Sequence, residues 1–403
     1  MKLNLKIVLI TSGQPALNPR LVKEADLLAA AGYEVIVIYQ HWTAWATEVE
    51  KTLLPQKQWR AIQVGGSPKS QVILHWYTRI KFKVLRLFYK YFKLFPEATV
   101  ARSADLLLSH AKKHAADLYI AHNLGALPVA VKAAKFHHAK CGFDAEDFHR
   151  YENADDQNHP TVKLNTFIEN KYIPQVNYLT ASSPLTASAY EKLFNRLCPV
   201  ILNVLPKINQ RPLLINNTVL RIFWFSQTIG NDRGIENIID ALNISENKFE
   251  MHLLGKVDLL YVEMLRNKLD KNKSQLHFHA PIAPDKIPHF ASQFDIGIAS
   301  ETGFSINNNY ALSNKIFTYI QTGLATIASD TPAQKDLITR YHGIGKLYAN
   351  NNPHHLASIF DNYHTDRTLL AQHKSFAFNL GQTVLNWEVE REKFLNIVQS
   401  IIY

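Results

Sequence analysis

The chain has 403 residues, 47% of them hydrophobic, with 44 Lys+Arg against 34 Asp+Glu and a formal net charge of +10. That length exceeds what one compact core serves, so two domains are expected; two cysteines, Cys141 and Cys198, exclude a disulfide framework and fit a reducing compartment. A basic balance suits phosphorylated small molecules, nucleic acid or an anionic membrane without choosing among them, and no run of about 18 apolar residues is present to span a bilayer.

The opening "MKLNLKIVLITSGQP" lacks an Ala-x-Ala-like site and its apolar run is short, so it reads as a first strand, Lys6 to Thr11, and not as a signal peptide. A loop with Gly13 follows. Asn18 then caps a helix beginning at Pro19 and stopping at Gly32. "YEVIVIY" is continuously apolar, as a parallel strand buried on both faces is. "DLYIAHN", "KCGFDAEDFH" and "VNYLTASS" repeat the strand–helix scheme. "LCPVILNVLPKINQRPLLINN" breaks it, and the linker is placed near Asn203 to Pro212. The pattern then restarts. "VLRIFWFS", "FEMHLLG", "LHFHAPI", "FDIGIAS" and "LATIASD" are strands, and "RGIENIIDALN" and "PDKIPHFASQ" are helices. The last segment, from Phe376, reads as long helix with a break at Gly381. The prediction is α/β: a domain over 1–205, a second over 206–375, and a terminal helix over 376–403.

Ligands of doubly wound sheets bind at the carboxyl ends of strands, beside helix N-termini. In "ASETGFSINNNYALSNK", Ser313 and Asn314 are candidate caps and Lys315 stands in the first helical turn. A cation there is electrostatically misplaced unless an anion joins it, and a diphosphate suits the position. Glu301, at the end of the preceding strand, is placed to accept hydrogen bonds from sugar hydroxyls. "FSQTIGNDRGIENI" puts Arg233 at another helix start, a second cation for the same diphosphate. The ordinary alternatives are a capped helix with a solvated lysine and a surface arginine. Gly13 lets the first strand–helix turn approach a ligand, although a tight turn explains it equally. His122 follows a strand, and Asp144 and Glu146 crowd the end of another; an acceptor hydroxyl is their expected partner, against a structural histidine as the plainer reading. No Cys/His spacing matches a metal site, so metal ligation is the less favoured reading.

In "WYTRIKFKVLRLFYKYFKLF", Arg79, Lys83, Arg86, Lys90 and Lys93 are spaced four, three, four, three, one basic stripe of a helix whose other faces carry Ile80, Val84, Leu87, Phe88, Tyr91 and Phe95. That is the profile of a helix lying on an anionic membrane surface; a solvated cationic face is the alternative. No nucleic-acid motif accompanies the charge, so nucleic acid is not the expected partner.

The order of "NPRLVKEADLLAAAGYEVIVI", "DLYIAHNLGALP", "SQTIGNDRGIENIIDAL", "IPHFASQFDIGIAS" and "ALSNKIFTYIQTGLATIASD" resembles family 4 retaining glycosyltransferases of the GT-B fold over nearly the whole chain. The resemblance implies two Rossmann-like domains facing a central cleft, the second binding a nucleoside-diphosphate sugar and the first the acceptor. It also implies that the terminal helix packs back on the first domain. The family's "Arg…Lys-Gly" falls on Gln227 and Arg233-Gly234, its "Asn-Lys" on Asn314-Lys315, and its acceptor-side histidine on His122. Two glutamates usual in the family are replaced here by Tyr310 and Thr318. The implied activity is retaining, metal-independent transfer to a glycan or lipid-linked acceptor in bacterial surface polysaccharide synthesis, in the cytoplasm against the inner face of the plasma membrane. No cofactor is expected, the nucleoside-diphosphate sugar being a substrate. The rivals are an epimerase of sugar nucleotides with the same fold and a non-catalytic sugar-nucleotide binder.

Overall fold

The computed structural model describes residues 5–208, 218–270 and 274–403. The chain forms two compact units, one of Met1–Leu202, Ser305–Asn307 and Arg391–Tyr403, the other of Asn203–Phe304 and Asn308–Glu390. The end of the expected linker, from residue 209 to Pro212, lies outside the described residues.

In the first unit six strands form one parallel sheet: β1 (Lys6–Thr11), β2 (Glu34–Gln40), β3 (Arg60–Val64), β4 (Leu118–His122), β5 (Lys140–Ala145) and β6 (Tyr178–Ala181), in the order β3-β2-β1-β4-β5-β6. β1, β2 and β4 are apolar runs of β-branched and aromatic residues whose side chains are buried almost without interruption. The helix Pro19–Ala30 starts as its sequence requires: Asn18 accepts from the Leu21 N–H at 2.9 Å, and Pro19 takes the first helical place.

The second unit repeats the plan with β7 (Leu220–Ile229), β8 (Phe249–Val257), β9 (Gln275–His279), β10 (Ile296–Ala299), β11 (Ala325–Ser329) and β12 (Gly345–Tyr348), ordered β12-β11-β10-β7-β8-β9. Its core gathers Trp224, Ile238, Phe249, Ile298, Ile327 and Phe360. Both orders reverse direction at one place, between β1 and β4 and between β7 and β10. Doubly wound sheets bind ligands at such a switch point, outside the strands' carboxyl ends.

The C-terminal break falls at residues 384–386, not at Gly381. Gly381 lies inside the helix Arg367–Thr383, where the missing Cβ admits Gln321. The Gln321 amide donates to the carbonyls of Gly381 (2.9 Å) and Leu385 (3.0 Å). Asn386 then accepts from the Val389 N–H at 3.0 Å and starts the final helix, Trp387–Ile402.

Candidate functional site

At the β7/β10 switch of the second unit, the chain leaves β7 and turns into the helix Ile235–Ile244 through Gly234, whose φ is +71°. The turn is pinned to the end of β10. The Ser300 hydroxyl donates to the Arg233 carbonyl at 2.7 Å and accepts from the Trp224 indole N–H at 3.1 Å. A Cβ on Gly234 would stand 2.9 Å from the Ser300 carbonyl oxygen. Gly234→Ala is therefore expected to destabilise the chain by about 1–3 kcal/mol, because it adds a left-handed alanine to a backbone collision. Urea unfolding measures this, and a change under about 0.5 kcal/mol would mean that the turn is not pinned.

Lys315 lies in the first turn of the helix Asn314–Thr322. Its ammonium sits 5.3 Å from the centre of the Trp224 ring and 2.8 Å from Glu301 Oε1. The Ser313 hydroxyl donates to the same carboxylate oxygen at 2.7 Å. Ser313 thus holds the cap position without capping; its hydroxyl is taken by Glu301, a correction to the sequence expectation. Asn314 is the first helical residue and accepts from the Asn203 amide at 3.1 Å. Burial alone would push the Glu301 carboxyl up. The Lys315 charge, with hydrogen bonds from Lys315, Ser313 and Asn308, outweighs burial and lowers it to about 2. Glu301 is thus an anion at any physiological pH, and it neutralises the cation that the helix end disfavours.

The sheet therefore brings together Glu301, Ser313 and Lys315, and ties the main chain of Arg233 to them through Ser300 and Trp224. The Arg233 side chain is exposed. Gln227 is exposed at the end of β7, where the pairing with β8 shifts register between Phe225 and Thr228.

The corresponding switch in the first unit holds His122, paired in register with Thr11. His122 is fully buried. Its Nδ1 lies 3.0 Å from Glu146 Oε1 and 3.5 Å from Asp144 Oδ2, and its Nε2 lies 3.2 Å from Glu24 Oε2, an ion-pair distance without hydrogen-bond alignment. Asp144 is also buried. It accepts from Arg20 Nη2 at 2.7 Å, from Arg20 Nε, and from Thr180 at 2.9 Å. Glu146, half-buried, accepts from the Asn18 amide. Burial would lower the His122 pKa. The Glu24 charge at close range, the hydrogen bond to Glu146 and the Asp144 charge override it and raise it to about 10. The ring is an imidazolium enclosed by carboxylates, with no lone pair left for a base. Gly13 lies beside this network with ordinary negative φ; its N–H donates to Thr11 Oγ1 at 3.1 Å.

Sequence reasoning missed Trp224, Ser300, Arg20 and Glu24. Arg20 carried a readable signal, since it is a cation in a helix's first turn, as Lys315 is. Asp144 answers it from 124 residues away. Trp224 and Ser300 gave none, because a buried strand tryptophan and a strand-end serine are ordinary core residues.

Comparison with family models and with curated protein sequences finds no match. Solved structures do match. HepE from Anabaena, in complex with UDP and glucose, aligns over 98% of this chain and 100% of its own at 17% identity and a TM-score of 0.72. Sucrose-phosphate synthase from Thermosynechococcus elongatus aligns over 98% of both chains at 13% identity, also with a TM-score of 0.72. TarM of S. aureus, as a variant in complex with fondaparinux, α-GlcNAc-glycerol and UDP, aligns over 97% of this chain and 99% of its own at 11% identity and a TM-score of 0.69. What is shared at these identities is the fold: two Rossmann-like doubly wound domains of the GT-B type.

Proposed function

We propose that the protein is a glycosyltransferase that moves a sugar from a nucleoside-diphosphate sugar to a glycan or lipid-linked acceptor. The observation that carries this reading is the Glu301–Ser313–Lys315 cluster against Trp224, at the switch point where a doubly wound sheet binds its ligand. Lys315 binds the donor diphosphate together with the N–H groups of its helix, and the exposed Arg233 closes on the same group. Both cations stabilise the negative charge that grows on the diphosphate as it leaves, the task a metal performs elsewhere, so transfer proceeds without one. An incoming diphosphate competes with Glu301 for Lys315. Glu301 then turns to the sugar hydroxyls, from which a carboxylate oxygen accepts hydrogen bonds. Transfer is retaining, and the first unit binds the acceptor. UDP-sugars are the first donors to try, because UDP is bound in the solved structures of HepE and TarM. Radiolabelled UDP-sugars incubated with glycan and polyprenyl-linked acceptors test the reading: labelled, elongated acceptor supports it. Isomerised donor without acceptor transfer would mean an epimerase, and binding without turnover a non-catalytic homologue.

The acceptor is proposed to be presented at an anionic membrane, as one step of surface polysaccharide assembly. The helix Val72–Phe92 has two buried residues, His75 and Thr78. Ile73, Trp76, Tyr77, Ile80, Leu87 and Tyr91 are exposed along it, Ile73 to 89%, and Lys83, Arg86 and Lys90 are interleaved with them. Apolar area of this extent on a helix that buries two residues exceeds what its packing uses and suits the boundary between headgroups and acyl chains. No helix among the described residues is long and apolar enough to cross a membrane. Replacing Lys83, Arg86 and Lys90 by glutamine removes about 3 kcal/mol of attraction, so co-flotation with acidic-lipid vesicles is expected to fall more than a hundredfold in partition. Flotation unchanged by the triple substitution would contradict membrane docking through this helix.

A further inference from the structure

A histidine ladder lies on the second unit's sheet, on strands away from the β7/β10 switch. β8 carries Glu250 and His252, and β9 carries His277 and His279, each pair separated by one residue and so facing the same side. The register sets His252 directly opposite His277, and β9 is the edge strand. The two rings stack at 4.5 Å with an interplanar angle of 13°. His252 Nδ1 lies 3.0 Å from His279 Nε2, which leaves His252 Nε2 facing Glu250 Oε2 at 3.5 Å. The Nε2 atoms of both His252 and His277 are buried and have no hydrogen-bond partner. A buried polar atom without a partner is destabilising, and here two face each other across one rung.

We propose that Glu250, His252 and His277 form a binding site for a divalent transition-metal cation of the zinc class, separate from the sugar-transfer site, that clamps the edge strand β9 to β8. Their three ligand atoms all lie within 4.8 Å of one another. Turning the two rings out of their stack would converge their lone pairs and bring the atoms to the spacing of about 3.3 Å that Zn–N bonds of about 2.0 Å require, with water completing the tetrahedron. Two imidazoles and one carboxylate suit Zn2+ or Co2+ and not Mg2+ or Ca2+, which want oxygen alone. His279 supplies what such sites need behind the ligand, a partner on the far nitrogen that fixes the ring and its tautomer. Phe294, 4.7 Å from the His252 ring, and Phe290, 4.9 Å from the His279 ring, hold the rings in place. Arg221, opposite Glu250 in register on β7, adds a like charge that moderates the affinity.

The test uses the full chain without a histidine tag, stripped by chelator and titrated with Zn2+ in a calorimeter. One saturable equivalent per chain is expected. At a hundredfold excess over Kd, zinc is expected to raise the melting temperature by about 5–10 °C. Co2+ in its place gives the ligand-field absorption of a four-coordinate site. Glu250→Gln, which keeps shape and fold, and His277→Asn on the edge strand each weaken the saturable site at least tenfold; His279→Asn weakens it about 10- to 100-fold through the His252 ring. Several weak equivalents that survive both Glu250→Gln and His277→Asn would be adventitious binding to surface histidines, and would overturn the proposal, as would no saturable binding at all. Sugar transfer in the presence of chelator is a separate readout and does not bear on this site.

Discussion

Lys315→Met is expected to weaken UDP binding by about 10- to 150-fold, the loss of one hydrogen bond to a charged group worth about 1.5–3 kcal/mol. Methionine keeps the length of the side chain and its packing on Trp224 while removing the ammonium, so the change reads charge and not volume. It also leaves Glu301 without the cation that lowers its pKa to about 2. Breaking a fully buried pair from one side costs about 3–5 kcal/mol; this pair is partly open to solvent, so the stability loss is expected to be smaller. Glu301→Gln separates the two roles. It relieves the competition for Lys315, so UDP alone is expected to bind as well or better, while the preference for a UDP-sugar over UDP falls. Calorimetric titration of both ligands into the three chains measures both effects. Equal UDP affinity in wild type and Lys315→Met would remove the lysine from the donor site.

The largest effect on stability is expected from His122→Ala. The substitution leaves Asp144 and Glu24 buried with Arg20 as their one remaining close cation among the described residues. A cost of about 3–5 kcal/mol follows, or a fall in melting temperature of about 6–20 °C. The effect depends on pH, and its sign is fixed by the direction of the shift. The folded-state pKa of His122 is raised from an unfolded value near 6.5 to about 10. Its contribution is therefore fully present below about pH 6.5 and is lost as pH rises through about 10. The stability gap between wild type and variant is expected to be widest near pH 6 and to narrow steadily toward pH 10. Urea unfolding across that range measures it. A gap that widens with pH would mean a neutral ring and a different network.

The strands were legible because a parallel sheet buried on both faces demands near-continuous apolar runs, and "KIVLIT", "EVIVIYQ" and "LYIAH" supply them. Asn18-Pro19 was legible because caps and first helical positions restrict residue type, whereas the left-handed turn at Gly234 was not picked out for that role. Lys315 stood out because charge opposes a helix end. What sequence could not supply was the partner. Glu301 is 14 residues from Lys315, and Asp144 is 124 from Arg20; only the packing of a helix's first turn against a strand's carboxyl end brings either pair together. Ser313 shows the same limit. Capping rules name the position, but a nearby carboxylate outbids the helix N–H groups for the hydroxyl. Gly381 read as a breaker, yet its value lies in admitting Gln321 from another helix. The Glu-x-His and His-x-His spacings were visible in "FEMHLLG" and "LHFHAPI", but facing rungs mean nothing until two strands are known to be neighbours.

A crystal structure of the full chain soaked with UDP tests the central claim most directly. The diphosphate is expected at the β7/β10 switch, with an oxygen about 2.7–2.9 Å from the Lys315 ammonium, the distance of a charge-assisted bond, and the Arg233 guanidinium turned onto the same group. A diphosphate bound elsewhere, with the Glu301–Lys315 pair still closed, would contradict it.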